Sequence, residues 1–209
     1  MLLKQSISLA DQTTIVVATN NSGKLKEFAL LLPDFDIISQ SSLGITPEEE
    51  IGETFFENSL QKARVANTAS SMASLGDDSG LIVPALNNLP GLRSARYAHE
   101  SATDEENRQY LKKELEKLEL NQTKAYFVCV LALVQVAEDP FPLIATGLLE
   151  GSVKTSMQGA NGFGYDPMFY PKGSNLSLGE MDVDDKALLS HRGKAIQILK
   201  RKIESFVAE

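Results

Sequence analysis

A buried strand that leads through a polar turn into a helix is the feature that most restricts the fold of this chain. Residues 14–18 (TIVVA) are mostly β-branched and apolar, which is typical of a strand buried on both faces. The next six residues, 19–24 (TNNSGK), are rich in turn formers, and apolar residues then recur at helical spacing from 25 to 32, ahead of Pro33. This order indicates an α/β fold.

The rest of the chain alternates predicted strands and helices, with no internal repeat and no linker-like segment. Strands are predicted at 35–39, 125–136 and 143–149, and helices from Thr54 to about Met72, from Thr103 to about Leu118 and from Arg192 to Val207. The first two of these helices open with a threonine and, three residues later, a glutamate, the capping-box pattern. Residues 77–80 follow a strand-like segment and precede an apolar run at 81–83. We therefore predict one α/β domain over residues 1–209, with residues 1–12 as a short N-terminal extension.

Charge and hydropathy exclude several classes of protein. No stretch approaches the roughly 20 apolar residues of a membrane-spanning helix, and residues 1–12 lack the pattern of a secretory signal. The formal net charge of −8 disfavours nucleic-acid binding, which normally needs a basic face. The lone cysteine, Cys129, lies in an apolar run and is predicted to be a buried thiol. We expect a cytoplasmic protein without nucleic-acid or membrane partners.

The loop at 19–24 is a candidate phosphate site. It lies where a strand delivers the chain to a helix N-terminus, whose backbone N–H groups and dipole favour an anion, and Lys24 adds a cation. It is not a Walker A loop, because Ala18 stands in place of that motif's first glycine and Leu25 in place of its Ser or Thr. The structural alternative is a plain N-cap turn built by Asn or Ser.

Two acidic segments could supply ligands for a hard cation. Asp77 and Asp78 are adjacent, and neighbours in an extended chain point to opposite faces, so we predict different roles for them. Magnesium usually takes one or two protein carboxylates plus phosphate oxygens and water, a need that Glu49 and Asp78 would meet. The structural alternatives are an Asx-type turn at 77–80 and a solvated acidic stretch at 48–50.

The segment 161–167 (NGFGYDP) is the most unusual in the chain. Two glycines flank Phe163, and such a backbone with an exposed aromatic face suits stacking on a base, with Asp166 available to the polar edge of that base. The third glycine of a dinucleotide-binding fingerprint is missing, and the structural alternative is a turn with core aromatics. Before the last helix, Lys186, His191 and Arg192 offer hydrogen-bond donors, or else are charges facing solvent.

Taken together and in order, these segments resemble the inosine triphosphate pyrophosphatase family. The matching motifs lie at 19–24, 49–58, 77–81, 90–97, 163–167 and 186–193. The resemblance runs from about Ile15 to Leu199, and six motifs in the family's order are far more specific than any one of them. Asn20 stands where many members carry glycine, and Gly179-Glu-Met181 replaces a commoner Ala-Glu-Leu, changes that we expect to be tolerated.

The resemblance implies a mixed, strongly twisted sheet with flanking helices and two lobes around a central nucleotide-binding groove, in a homodimer. It implies magnesium-dependent hydrolysis of ITP, dITP and XTP to the monophosphate and pyrophosphate, which keeps deaminated purines out of nucleic acid. Asp78 would activate water and share the metal with Glu49. The implied phosphate binders are Thr19, Asn20, Asn21, Ser22, Gly23, Lys24, Lys62 and Ser79. The implied nucleoside pocket comprises Phe163, Gly164, Tyr165, Asp166, Lys186, His191 and Arg192.

The edges of the bases suggest how such a pocket selects its substrate. Hypoxanthine and xanthine present a 6-oxo acceptor and an N1–H donor. Arg192 or His191 donating to the oxo group, with Asp166 accepting N1–H, would reject adenine by leaving buried polar groups unpaired. Guanine shares both features, so its exclusion must depend on its 2-amino group.

Two alternative functions stay open. One is a nucleotide pyrophosphatase of different base preference, such as the septum-inhibitor type. The other is a catalytically silent nucleotide-binding module, which the presence of both Glu49 and Asp78 disfavours.

Overall fold

The computed structural model describes residues 14–207, except for the side chains of residues 206 and 207, so the predicted extension at 1–12 lies outside the described residues. The strands are β1 Thr14–Ala18, β2 Asp36–Ser39, β3 Ser74–Ile82, β4 Gln122–Val134, β5 Leu143–Lys154 and β6 Phe169–Pro171. The helices are α1 Ser22–Leu31, α2 Phe55–Ser70, α3 Asp104–Lys117, α4 Val183–Leu189 and α5 His191–Val207. Short 3₁₀ turns lie at Gln40–Leu43, Pro84–Leu86, Gly91–Arg96 and Asp166–Met168.

The six strands form a mixed sheet in the order β2-β1-β3-β4-β5-β6. Strand β1 pairs in parallel with both β2 and β3, whereas β5 pairs antiparallel with β6. Helices connect the parallel strands, as parallel pairing requires. The predicted α/β class with a mixed sheet and flanking helices is therefore confirmed.

Strand β3 differs most from its prediction. Residues 77–80 were predicted to lie between a strand-like segment and the apolar run at 81–83, but β3 runs without a break from Ser74 to Ile82 and includes Asp77 and Asp78, both buried. An apolar pattern cannot reveal such a strand, because buried carboxylates are tolerated only where partners compensate their charge. Those partners, Lys24 and Lys62, come from other elements.

The described residues group into two compact units. Unit 1 comprises the described parts of Met1–Asp78, Val130–Ala145 and Ala195–Glu209, and unit 2 comprises Ser79–Cys129 and Thr146–Lys194. The chain passes from one unit to the other within β3, β4, β5 and α5 rather than in a loop.

In unit 1, the backbone of α2 packs directly against β3 at Gly76. A Cβ atom on Gly76 would lie 1.9 Å from the carbonyl oxygen of Ser59 and 2.8 Å from the amide nitrogen of Ala63. Only glycine permits this approach, because any side chain would overlap the helix backbone. The contact brings the face of α2 that carries Asn58 and Lys62 against the middle of β3, where Asp78 lies.

Unit 2 contains an apolar cluster that joins its helix and strands. Leu111 and Leu115 from α3 pack there with Phe127 of β4 and Phe169 of β6, whose ring centroids are 4.6 Å apart. Helix α3 opens with the predicted capping box, in which Thr103 and Glu106 bond reciprocally. Cys129 is buried, as predicted. None of the helices within 14–207 is long and apolar enough to cross a bilayer.

Candidate functional site

Four polar side chains of unit 1 meet at the end of its part of β3, and we refer to Asp78, Lys62, Glu50 and Asn58 as the acid–lysine cluster. The Lys62 ammonium lies 2.7 Å from Asp78 Oδ1 and 2.5 Å from Glu50 Oε1. The Asn58 amide donates to the other oxygen of Asp78 over 3.3 Å. One cation thus bridges two carboxylates, of which Asp78 is almost completely buried.

Burial and charge together set the proton affinities in this cluster. Burial raises the pKa of Asp78 above its ordinary value, and the nearby Glu50 adds to this effect, whereas the attraction of Lys62 opposes it. Burial would lower the pKa of Lys62, but the carboxylates of Asp78 and Glu50 outweigh it and raise that pKa. Lys62 therefore stays a cation at neutral pH, while Asp78 is a stronger base than an ordinary carboxylate.

The acidic loop (residues 46–50) is fixed to α2 by two amide side chains. The Gly52 N–H donates to Asn58 Oδ1 over 2.8 Å, and Gln61 Nε2 donates to the backbone oxygen of Glu49 over 2.9 Å. These bonds place Glu50 against Lys62, whereas the Glu49 residue is exposed. The loop was predicted to supply Glu49 to a metal. In the structure it is the neighbouring Glu50 that contacts Lys62, the cation paired with Asp78.

Asp77 faces a different partner from Asp78. Its Oδ1 lies 3.0 Å from the Nζ atom of Lys24, and its side chain is completely buried. The two adjacent carboxylates therefore have different cationic partners, as their opposite directions along a strand predict. Asp77 holds Lys24, the candidate phosphate-binding lysine, next to β3.

The loop at 19–24 is built as an N-cap. Asn21 Oδ1 accepts from the N–H groups of Gly23 and Lys24 at 2.8 and 3.0 Å, and the Asn21 N–H donates to Thr19 Oγ1 over 3.1 Å. Asn20 Oδ1 accepts from Gln40. The structural alternative for this loop is therefore realised at Asn21, and helix α1 begins at Ser22. Three of the backbone donors of this loop are bonded within it, so the Lys24 side chain is its clearest remaining anion binder.

In unit 2, the aromatic loop (residues 161–167) is held by bonds within itself and to α4. Gly162 and Gly164 adopt φ of 81° and 59°, the left-handed region that favours glycine. The Phe163 N–H donates to Asp166 Oδ2 over 2.7 Å, and the same oxygen accepts from Lys186 over 2.8 Å. Lys186 Nζ also lies 4.9 Å from the centre of the Phe163 ring. Asp166 is thus engaged in holding this loop, a role that the sequence did not predict.

The start of α5 brings further predicted residues to Phe163. Arg192 is only 1% exposed, its Nη2 lies 3.2 Å from Ser79 Oγ, and its guanidinium carbon is 5.7 Å from the Phe163 ring centre. His191 stacks on Phe127 with centroids 4.7 Å apart. The alternative that these charges face solvent is wrong, since Lys186, His191 and Arg192 are all buried.

Tyr165 is a buried residue of the aromatic loop. It is buried in the core cluster of unit 2, and its hydroxyl donates to the Ser94 carbonyl over 2.9 Å. Burial raises the pKa of that hydroxyl well above its ordinary value, so the group stays protonated. The alternative of core aromatics in a turn is therefore realised at Tyr165 but not at Phe163, which is partly exposed.

The prediction of the site omitted several residues that the structure places in it. Asn58 and Glu50 belong to the acid–lysine cluster, while Asp104 and Arg108 bond to Gly164. The position of Asn58, four residues before Lys62, could have revealed it, because such residues share one face of a helix. No local pattern connects α3 with Gly164, which lies 60 residues beyond Asp104.

The donor set of the acid–lysine cluster suits one class of metal ion. Within 14–207, no group of three or more His, Cys, Asp or Glu residues could hold a metal ion. A structural zinc site needs four such ligands. Magnesium, in contrast, usually binds one or two protein carboxylates and completes its shell with water and substrate phosphate. The oxygens of Asp78 and Glu50, within reach of one Lys62 ammonium, fit that requirement.

Comparisons with known proteins are consistent across most of the chain. Residues 15–202 match the model of the Ham1 family. A dITP/XTP pyrophosphatase of Legionella pneumophila (strain Paris) is 45% identical over 186 residues, covering 89% of this chain and 96% of that protein. The dITP/XTP pyrophosphatase of Escherichia coli (strain K12) is 42% identical, covering 88% and 95%. The structure of a HAM1 protein from Coxiella burnetii superposes with a TM-score of 0.85 at 40% identity, covering 93% of this chain and 100% of that one.

Proposed function

This chain belongs to the Ham1 family, and from that premise we propose that it hydrolyses ITP, dITP and XTP to the nucleoside monophosphate and pyrophosphate. The observation that carries the proposal is the acid–lysine cluster, where a buried carboxylate of raised pKa lies beside a permanent cation. Relatives named dITP/XTP pyrophosphatase, at 42–45% identity over most of the chain, support the substrate class. Such a reaction would remove deaminated purines from the nucleotide pool.

A magnesium ion is part of the proposal. Asp78 would hold it together with a carboxylate of the acidic loop, which is Glu49 by the resemblance and Glu50 by the contacts described above. The bound ion would neutralise charge on the phosphate oxygens. Because Lys62 lies against both Asp78 and Glu50, it would give up part of these contacts when an ion binds and turn its ammonium toward the substrate phosphates.

The residues of unit 1 supply the groups that hydrolysis needs. Water attacks the α-phosphorus, a P–O bond forms, and the bond from that phosphorus to the bridging oxygen of pyrophosphate breaks. Asp78 orients the water and accepts its proton, for which a raised pKa is an advantage. Lys24 and Lys62 stabilise charge on the leaving pyrophosphate, since phosphoryl transfer depends mainly on positioning and charge stabilisation.

The residues of unit 2 supply base recognition. The partly exposed Phe163 ring offers a stacking surface, with Lys186 and Arg192 beside it as donors to a 6-oxo group. Asp166 already binds the Lys186 ammonium and the Phe163 N–H through one oxygen. Selection against adenine therefore rests chiefly on the cationic donors, which would face the 6-amino group of adenine with no acceptor to bind.

The test is pyrophosphate release from ITP, dITP, XTP, GTP and ATP, each with and without magnesium. We expect metal-dependent release from ITP, dITP and XTP, with ATP and GTP much slower. Equal rates with all five would retain the chemistry but reject the base selection, as expected of a pyrophosphatase of the septum-inhibitor type. Binding of ITP without any release would reject the enzyme in favour of a nucleotide-binding module.

Two properties implied by the resemblance complete the proposal. The protein would act as a homodimer, which light scattering on the purified chain tests through its mass, twice 22.8 kDa for a dimer. It would act in the cytoplasm, where its substrates arise, and cell fractionation tests this location.

A further inference from the structure

Two side chains of helix α3 form hydrogen bonds with the backbone of Gly164 in the aromatic loop, one with its N–H and one with its carbonyl. Asp104 Oδ2 accepts from the Gly164 N–H over 2.7 Å. One turn further along the helix, Arg108 Nη1 donates to the Gly164 carbonyl over 2.6 Å. We refer to Asp104 and Arg108 as the α3 clamp. Both side chains carry charge, so each bond is of the stronger, charge-assisted kind.

With the clamp in place, three consecutive peptide groups around Phe163 are fixed. Asp166 holds the peptide before Phe163 through the Phe163 N–H. Asp104 holds the peptide after it, and Arg108 holds the following one, on the far side of Gly164. The flanking glycines at 162 and 164 would otherwise permit many backbone conformations. Phe163 is therefore left with rotation about its side-chain bonds and little freedom of its backbone.

Helix α3, which carries both clamp residues, is held in place by several contacts. The capping box of Thr103 and Glu106 fixes the first turn of α3, and the Arg108 guanidinium is oriented by Glu105 at 2.7 Å. Between the two clamp residues, the buried Asn107 side chain bonds to the backbone of Ala98 and Ala95. Leu111 and Leu115 anchor the helix in the core of unit 2.

We propose that Asp104 and Arg108 are positioning residues that hold the Phe163 ring ready for a purine base before the nucleotide arrives. A loop that is already ordered loses less conformational entropy on binding, and this strengthens binding without a new contact to the ligand. The inference rests on the proposed function and names a determinant of its base-binding step. Because the clamp residues bond to the base-binding loop of unit 2, whereas the acid–lysine cluster belongs to unit 1, their effect falls on KM rather than on kcat.

The experiment compares R108L and D104A with the wild type. Loss of either charged hydrogen bond raises KM for ITP about five- to tenfold, the range for a partly exposed bond of this kind, with kcat within about twofold. D104N, which keeps an oxygen acceptor for the Gly164 N–H, restores most of the lost affinity. R201L, at an exposed arginine of α5, is the matched control and leaves both constants unchanged.

A second readout separates positioning from a general structural role. The chain contains no tryptophan, so an indole introduced by F163W reports on this loop alone. In that background, R108L weakens ITP binding followed by fluorescence and increases quenching by iodide before ITP is added. An unchanged KM and unchanged binding, or parallel loss of kcat and thermal stability with KM unaltered, would overturn the inference.

The same experiment distinguishes the two proposals. If the wild type releases no pyrophosphate from any nucleotide, the proposed function fails. The clamp is still tested in that case by comparing ITP binding to F163W with and without R108L. If the wild type is active and R108L binds ITP as tightly as before, only the clamp is rejected.

Discussion

At the scale of single residues, Asp78 combines burial with two hydrogen-bonding partners. Exchange for asparagine keeps the size of the side chain and one oxygen acceptor but removes the charge that we propose accepts a proton and binds a metal. We expect D78N to lose about 10²- to 10⁴-fold in turnover, the range for loss of a general base. Measured pyrophosphate release tests this, with circular dichroism to establish that the variant is folded. D34N, at an exposed aspartate bonded to Lys200, is the control, and near-normal turnover of D78N would remove Asp78 from its proposed role.

The two candidate metal ligands in the acidic loop differ in their surroundings. Glu50 shares Lys62 with Asp78, while Glu49 is exposed and bonded through its backbone. From these contacts we expect E50Q to raise the magnesium concentration for half-maximal rate by at least about tenfold, and E49Q to change it little. Calorimetric titration with Mn²⁺ in the absence of nucleotide measures the metal affinity of each variant directly. The reverse ranking would support Glu49, the ligand implied by the family resemblance.

At the scale of secondary-structure elements, the close packing of α2 on β3 depends on Gly76. A methyl group there would have to displace the helix backbone at Ser59, and with it Asn58 and Lys62. We expect G76A to lower the free energy of unfolding by about 3 kcal/mol and to reduce activity as well. Urea denaturation and pyrophosphate release measure the two effects.

The control for this prediction is G44A. Gly44 has a φ of 69°, and no atom lies within 4 Å of a Cβ placed there. Alanine at this position therefore costs only the backbone strain, about 1–2 kcal/mol, and leaves activity intact. Equal activity losses in the two variants would show that the α2–β3 contact is not what aligns the acid–lysine cluster.

Elements with strong local patterns were predictable from the sequence. The N-cap of α2 at Thr54 and the capping box of α3 at Thr103 lie where the pattern placed them, and the predicted bounds of β1 agree with the structure. The three-residue strand β6 and the seven-residue α4 were not predicted, because segments this short have no full hydrophobic period. They form because the surrounding residues pair or pack with them.

The candidate site was predictable as a set of residue types rather than as a set of contacts. Asp78 and Lys62 meet in unit 1, and Phe163, Lys186 and Arg192 meet in unit 2. The sequence did not reveal that Lys24 pairs with Asp77, 53 residues away. Such pairs depend on the register of strands and the packing of helices, which no local pattern records.

At the scale of the whole molecule, the two units share β3, β4, β5 and α5 as continuous elements. Because each of these elements continues along the chain from one unit into the other, unfolding one unit would leave the other with shortened strands and a shortened helix. We therefore expect one cooperative unfolding transition. All five tyrosines lie in unit 2, so tyrosine fluorescence reports on that unit alone, whereas far-UV circular dichroism reports on the helices of both. Coincident urea curves are the expected result, and an earlier tyrosine transition would contradict it.

The passage of the chain between the units also governs how the protein can be made. The core of unit 1 needs Val16 and Ala18 from the early part of the chain and Ala195, Leu199 and Ile203 from α5. At a synthesis rate of about 5–20 residues per second, roughly ten to forty seconds pass between the synthesis of β1 and that of α5. During that interval α2 is already available to cover β1, since Val16 and Ala18 pack with Ala66. The buried residues of α5 are still missing, however, so unit 1 can be completed only after nearly the whole chain has been translated.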